Sequence, residues 1–371
     1  MKPIKILHII TGLNSGGAEN VMCRIIKNTP EINHIVVSLS KGGIHEQTLR
    51  NNRTRVYQLE TNFFSICSTI FQLIKIYDAI KPDIVQTWLI HGDLIGAILK
   101  IFRSESNLVW NIRHSDYSFR KTKIRTWPVL ITLVFFSRIL PNKILTCASS
   151  IRELYVKFGY PSKKFHVIPN GTSVSLGIEG KYLKKLYKKN PSLDLLYLGR
   201  NHPQKNLKVL IQAVAALISL GFNLKLTLVG KDNEKLLNFV LKLPENVRQN
   251  IFLNGEKNDV RPYFSQANVL ILPSSYGEGF PNVLIESMAE GIPCISSDVG
   301  DARHIIGNTG WLYKKNSMDE LMLCIRQAYE EINHNPRLFL ERRAESKTRV
   351  SKLFSLDVMI DNYRQFYLTI L

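Results

Sequence analysis

The sequence predicts two doubly wound α/β domains built on parallel sheets, and three observations carry that expectation. Short runs of Val, Ile and Leu recur along 371 residues at intervals that leave room for one helix each. These runs lack strict alternation, the pattern of strands buried on both faces. One polar, basic stretch interrupts the rhythm near the middle, and a composition of 45% apolar and 21% charged residues supports packed domains of roughly 100–200 residues each.

In chain order, the first seven strand candidates are 4–10, 34–39, 55–59, 83–87, 107–112, 143–147 and 165–169. From Gly171 to Pro191 the apolar signal stops, and the basic run Lys181, Lys184, Lys185, Lys188 and Lys189 reads as part of a linker. The rhythm restarts at 193–198, 224–229, 250–253, 269–272, 293–297 and 310–313. From about Arg337 the tail is charged and helical in pattern. The expected division is residues 1–175, a linker at 176–192, and a second domain at 193–349. Two such domains facing each other would place ligands in the intervening cleft, at the carboxyl ends of their strands.

Charge narrows the partners. The chain carries 49 Lys and Arg against 30 Asp and Glu, a net +19, and residues 1–175 hold 23 basic against 10 acidic side chains. Such a surface attracts polyanions. No recognition helix, aromatic platform or zinc spacing accompanies the charge, so nucleic acid is not an expected partner. The apolar run from Trp127 to Phe136 has ten residues, and a membrane-spanning helix needs about 20. Its flanks carry Arg120, Lys121, Lys123 and Arg125 on one side and Arg138 and Lys143 on the other. It reads equally as a core helix or as a segment lying in an anionic membrane interface.

Five cysteines without Cys-x-x-Cys spacing read as buried thiols in a reducing compartment. The opening Met1-Lys2-Pro3 and the short apolar run after it do not form a signal peptide, so a cytoplasmic location is expected.

Three loops carry chemistry. After the strand at 269–272 comes Tyr276-Gly277-Glu278-Gly279-Phe280-Pro281-Asn282-Val283-Leu284-Ile285-Glu286, two carboxylates eight positions apart across a glycine-bracketed loop and a helix start. The N–H groups of Asn282, Val283 and Leu284 are expected to face an anion. After the strand at 193–198 comes Gly199-Arg200-Asn201-His202-Pro203-Gln204-Lys205-Asn206, where Arg200 and Lys205 can converge on one diphosphate. After the first strand comes Thr11-Gly12-Leu13-Asn14-Ser15-Gly16-Gly17-Ala18-Glu19, whose spacing is neither G-x-G-x-x-G nor a P-loop. His91 and His114 follow neighbouring strand candidates, and no metal-ligand spacing occurs.

These motifs, in this order, resemble the family 4 retaining glycosyltransferases of the GT-B fold over nearly the whole chain. Gly16-Gly17-Ala18-Glu19, Val167-Ile168-Pro169-Asn170-Gly171, Gly199-Arg200 with Lys205-Asn206, and Glu278 through Glu286 carry the resemblance. The stretch 86–95 with Asn111-Ile112-Arg113-His114-Ser115-Asp116 is similar to the subgroup that extends bacterial surface polysaccharides.

The resemblance implies that Arg200 and Lys205 hold the donor diphosphate, Glu286 the ribose and Glu278 the transferred sugar, with His114 beside that sugar. It implies that Gly16 and Gly17 border the phosphates, that the loop with Gly255 and Lys257 recognises the base, and that Phe280, Pro281, Asn282 and Val283 complete the donor-binding segment. By the same resemblance, the sugar leaves with retention by a front-face, ion-pair-like step in which the departing β-phosphate takes the acceptor proton. No metal or other cofactor is then expected, and residues 350–371 return to the first domain. The implied activity moves a sugar, with UDP as default donor nucleotide, onto a lipid-linked glycan at the inner face of an anionic membrane. A nucleotide-sugar epimerase or hydrolase on the same architecture is the alternative.

Overall fold

The computed structural model describes residues 3–14, 16–61, 66–115, 126–174 and 191–371. The chain forms two compact units, one of residues 1–170 with 359–371 and the other of residues 171–358. Residues 350–358, expected to join the first unit, belong to the second. The reason is local: Val350 and Phe354 are buried in the second unit, and Phe354 packs edge-on against Phe280 and His304. Most of the expected linker, and the basic flank Arg120, Lys121, Lys123 and Arg125, lie outside the described residues.

The first unit holds seven strands: β1 (Lys5–Ile10), β2 (Asn33–Ser38), β3 (Arg55–Gln58), β4 (Ile84–Trp88), β5 (Asn107–Ile112), β6 (Lys143–Thr146) and β7 (Phe165–Val167). All pairs are parallel, in the order β3-β2-β1-β4-β5-β6-β7. The second holds β8 (Leu193–Leu198), β9 (Leu224–Val229), β10 (Ile251–Asn254), β11 (Val269–Leu272), β12 (Cys294–Ser297) and β13 (Trp311–Tyr313), again parallel, in the order β10-β9-β8-β11-β12-β13. Strand β4 is buried at every position, as both-face coverage requires.

Each sheet reverses its strand order once, between β1 and β4 and between β8 and β11. Loops leaving the carboxyl ends of strands on either side of such a point diverge and leave a crevice. In the second unit the strand exits carrying Arg200 and Glu278 flank that point.

The apolar segment at 127–136 forms the helix Thr126–Ile139. One face packs into the core and another does not: Leu130 and Leu133 are buried, while Ile131, Phe135 and Ile139 are 67%, 62% and 64% exposed. No described helix is long and apolar enough to cross a membrane. Of the cysteines, 147, 294 and 324 are buried, but Cys23 is half-buried and Cys67 is exposed, which corrects the expectation of buried thiols throughout. Cys67 lies at the start of the helix Ile66–Ile80, whose buried positions Thr69, Leu73, Tyr77 and Ile80 lie on a different face.

Polar groups inside the first sheet are wired to one another. Trp88 Nε1 is a donor only, so His8 Nδ1 accepts from it at 3.2 Å and His8 carries its proton on Nε2. That proton goes to His34 Nδ1 at 2.9 Å, His34 Nε2 donates to Thr29 Oγ1 at 2.8 Å, and Thr29 donates to the Ile25 carbonyl at 2.7 Å. Nearby, Arg113 donates to Asn111 Oδ1, Asn170 Oδ1 and the Tyr363 hydroxyl, and Tyr367 donates to Gln86 Oε1 at 2.7 Å. These bonds dock the segment Met359–Leu371 on the first unit.

Burial holds His8 well below the ordinary 6.5, with the neighbouring His34 adding to the effect, and holds His34 down to about 4 against the pull of Glu31. Both rings are lowered, so below pH 6.5 the unfolded chain takes up protons that the folded chain refuses. Their contribution is full above that pH and is lost as pH falls toward the folded values. Urea unfolding followed by tryptophan fluorescence should show the wild type losing about 1 kcal/mol more than His34→Gln between pH 6 and pH 5. Equal losses would mean that the imidazole chain is not neutral.

Candidate functional site

The site of the second unit is built from backbone outward. Strand β8 ends at Leu198, and the chain turns through Gly199, Arg200 and Asn201 into the short turn Pro203–Lys205. His202 caps that turn, its Nδ1 accepting from the Gln204 N–H. Asn206 then takes a left-handed conformation (φ 51) to start the helix Leu207–Ser219. Asn tolerates this backbone better than most residues.

Strand β9 supplies the floor. Gly230 (φ 142) lies so close beneath the Gly199 carbonyl that a Cβ would collide with that backbone. Asn201 N–H donates to the Lys231 carbonyl and Asn201 Nδ2 to the Asp232 carbonyl, while Asn233 Nδ2, fully buried, donates to the Gly199 carbonyl. Gly230 N–H is also shared between the carbonyls of Asn254 and Gly255 after β10. Three strand exits are thereby clamped into one surface.

Across the reversal point, β11 runs into Pro273, Ser274 and Ser275. Ser275 N–H and Oγ both donate to the Gln204 carbonyl, at 2.8 and 3.2 Å, which joins this loop to the turn carrying Lys205. Lys205 Nζ and Glu278 Oε1 meet at 2.5 Å, with side chains 18% and 10% exposed. Ser274 Oγ donates to the same carboxylate oxygen at 2.6 Å. Gly300 (φ 59) passes against the carbonyls of Glu278 and Gly279, where a Cβ would collide, and Asp301 N–H donates to the Gly279 carbonyl. Burial chiefly, and then the negative charge of Glu278, push the Tyr197 phenol far above its usual range. The Tyr197 hydroxyl donates to the Arg200 carbonyl at 3.1 Å.

The expected residues therefore separate. Lys205 and Glu278 are brought together, and Arg200 extends an exposed side chain from the same loop system. Glu286 is half-buried in the second turn of the helix Asn282–Ala289. Gly255 is half-buried and Lys257 exposed. Pro281 is buried at the N-cap, and Asn282 and Val283 are half-buried in the first turn. Two expectations change. The Leu284 N–H is taken by the Pro281 carbonyl at 3.1 Å and does not face a ligand. Phe280 turns its ring inward onto Phe354 (centroids 5.6 Å apart), because an apolar ring at 8% exposure is better placed against core than against phosphate.

In the first unit, Gly16 is the N-cap of the helix Gly17–Asn28. The Glu19 carboxylate folds back over Gly16, so this helix start carries an anion of its own. His91 and His114 are both exposed, just beyond the neighbouring strands β4 and β5. Two features here escaped sequence reading. Leu89, where β4 gives way to helix, has φ 66, a strained conformation for a non-glycine residue and of the kind that clusters at functional sites. Asp93, buried and accepting from Thr87 Oγ1 at 2.5 Å, has its carboxyl pushed by burial up to about 7. No pattern in the sequence marks either. Gly230, Asn233 and Gly300 were also missed, although Gly directly after a strand candidate is the signal that could have found Gly230. Among the described residues no group of three His, Cys, Asp or Glu side chains is placed to hold a metal ion.

A basic pair and a carboxylate at the switch point of a parallel sheet have the chemistry to hold a phosphorylated, polar ligand. Residues 15–176 match the family described as Glycosyltransferase Family 4, and residues 192–331 match Glycosyl transferases group 1. The chain belongs to these glycosyltransferases, and its fold is GT-B. It is 24% identical, over 96% of this chain and 97% of the relative, to the capsular polysaccharide biosynthesis glycosyltransferase CapM of Staphylococcus aureus. It is also 24% identical, over 70% of each chain, to an Escherichia coli UDP-Gal:alpha-D-GlcNAc-diphosphoundecaprenol alpha-1,3-galactosyltransferase. The crystal structure of Anabaena HepE in complex with UDP superposes with a TM-score of 0.82 at 17% identity, covering 99% of this chain and 100% of that one.

The clamp at Gly230 makes a stability prediction. Gly221 shares a positive φ (93) but faces open space, so Gly221→Ala carries backbone strain alone. Gly230→Ala adds a backbone collision and should cost about 2 kcal/mol more in denaturant unfolding. Equal costs would show that the β8 and β9 exits are not in contact.

Proposed function

We propose that the protein is a retaining hexosyltransferase that moves a sugar from a UDP-sugar to a lipid-linked glycan in bacterial surface polysaccharide synthesis. The observation that carries the reading is the Lys205–Glu278 pair beside Arg200 at the switch point of the second sheet. Arg200 offers a planar fork and Lys205 a point charge to a diphosphate leaving group, while Glu278 is the neighbouring carboxylate for sugar hydroxyls. In this reading Glu286 holds the ribose, and the loop with Gly255 and Lys257 meets the base. His114 stands beside the transferred sugar, and Gly16 and Gly17 border the phosphates.

Catalysis then rests on positioning and on charge stabilisation of the departing diphosphate, whose β-phosphate takes the acceptor proton as the sugar transfers with retention. Neither a resident metal nor another cofactor is part of this proposal. The UDP donor is supported by the UDP complex of HepE and by the UDP-Gal donor of the E. coli relative, and the lipid-linked acceptor by that relative's diphosphoundecaprenol acceptor. A role in capsule or similar polysaccharides is supported by CapM.

A peripheral site of action at an anionic inner membrane is supported by the helix Thr126–Ile139. Its exposed Ile131, Phe135 and Ile139 are spaced i, i+4, i+8 along one face, with exposed Arg138 in its last turn and exposed Lys143 at the start of β6. Apolar side chains with adjacent cations suit the boundary between anionic headgroups and acyl chains.

Release of free nucleoside diphosphate from UDP-, GDP- and ADP-sugars, with and without membrane lipid extract, tests the reaction. One donor should be consumed only with lipid, and Arg200→Ala should lower that rate about 100-fold. Release that is equal without lipid, with water taking the place of the acceptor, would make the protein a hydrolase or a hydrolysing epimerase. Sedimentation with vesicles containing anionic lipid tests the surface: Ile131→Ser with Phe135→Ser should weaken binding about tenfold or more. An unchanged bound fraction would exclude this helix from the membrane contact.

A further inference from the structure

Glu278 accepts two hydrogen bonds, and both end on the same oxygen. Lys205 Nζ reaches Oε1 at 2.5 Å and Ser274 Oγ reaches Oε1 at 2.6 Å, so Oε2 is engaged by neither. The two donors differ in what would move them. Lys205 sits at the end of a flexible stem beside Arg200 and is the group that an incoming diphosphate attracts. Ser274 is neutral and fully buried. It is also held from behind: its carbonyl accepts from Oγ of the fully buried Ser297 on β12 at 2.5 Å, and the next residue is bonded to Gln204.

When phosphate draws the ammonium away, a carboxylate at 10% exposure would lose its cation and face a nearby anion. Without a second donor it would swing toward water. The Ser274 hydroxyl has no reason to follow the phosphate, and it already occupies the oxygen that Lys205 would vacate.

We propose that Ser274 is a positioning residue that keeps Glu278 in place when the donor diphosphate recruits Lys205, so that the carboxylate meets the sugar in one orientation. This inference rests on the transferase reading above. Ser274 touches neither phosphate nor sugar in it and acts through Glu278 alone. The relay Ser297–Ser274–Glu278 thus links the interior of β12 to the reacting sugar, and Lys205 alternates between Glu278 in the empty site and phosphate in the filled one.

Two measurements on the full chain test this: calorimetric binding of UDP alone, which has no sugar for Glu278 to meet, and steady-state transfer from the consumed donor. Ser274→Ala and Ser274→Cys remove the strong donor, and Ser274→Thr keeps it. The Ala and Cys variants should bind UDP within about twofold of wild type yet lose about tenfold or more in kcat, with donor KM changing far less, and Thr should recover most of the loss. Cys is close to Ser in volume and supplies the comparison if the Ala variant does not fold.

Unchanged kcat in a folded Ala or Cys variant would overturn the proposal. So would a parallel loss of UDP binding and transfer, which marks general damage to the loop, or a folded Thr variant no better than Ala. A wild type that neither binds UDP nor consumes any donor would remove the transferase reading and this inference with it. A wild type that does both, alongside an unaffected Ser274→Ala, would remove the positioning role alone.

Discussion

Lys205 and Glu278 meet because the strand order of the second sheet reverses between β8 and β11. Their loops are 73 residues apart in sequence, and only that topology brings them to one crevice. Everything else in the site serves the meeting. Gly230 lets β9 support the Arg200 loop from below, Ser275 bonds the two loops to each other, and Gly300 with Asp301 supports the Glu278 backbone. A mostly buried ion pair is costly to form, since desolvation offsets much of its Coulomb energy. Its presence in a loop crevice is therefore weak evidence for a stabilising role.

The first unit solves a different problem, that of polar residues inside a sheet covered on both faces. His8, His34, Thr29 and Trp88 satisfy one another along a chain whose tautomers leave no choice. Arg113 is satisfied by two amides, a phenol and the Trp88 face at 5.4 Å. The phenol belongs to Tyr363, so the last helix of the chain supplies one of the partners that satisfy Arg113. His114, next to Arg113, stands on a backbone anchored by that cluster. Where the chain enters and leaves the second unit, Thr172 bonds the backbone of Phe354 and Leu356, and the two passages run side by side.

Most of the fold was legible because buried parallel strands leave a strong mark: every run of β-branched and aliphatic residues singled out became a strand, with no end moving by more than two positions. The loops were legible as well, since Gly199-Arg200 directly follows a strand and Lys205 and Glu278 lie in the strand-to-helix connections after β8 and β11. What was not legible was the inward turn of Phe280, the internal bond that occupies the Leu284 N–H, and the exposure of Cys67. Each depends on which neighbours arrive from distant sequence, and periodicity carries no information about that.

By itself the sequence determined the two-domain α/β architecture, the positive charge of the first half and the residue types able to hold a diphosphate. Those follow from local pattern, because a strand must bury its side chains and a phosphate site must present cations. Only the tertiary structure decided that Lys205 reaches Glu278 and that Ser274 shares its oxygen. It also decided that Gly230 must be glycine and that the last helix belongs to the first unit from Met359 onward. Hydrogen bonds and close backbone approaches have a range of a few ångströms, so they depend on which residues the strand order makes neighbours rather than on their spacing in the chain.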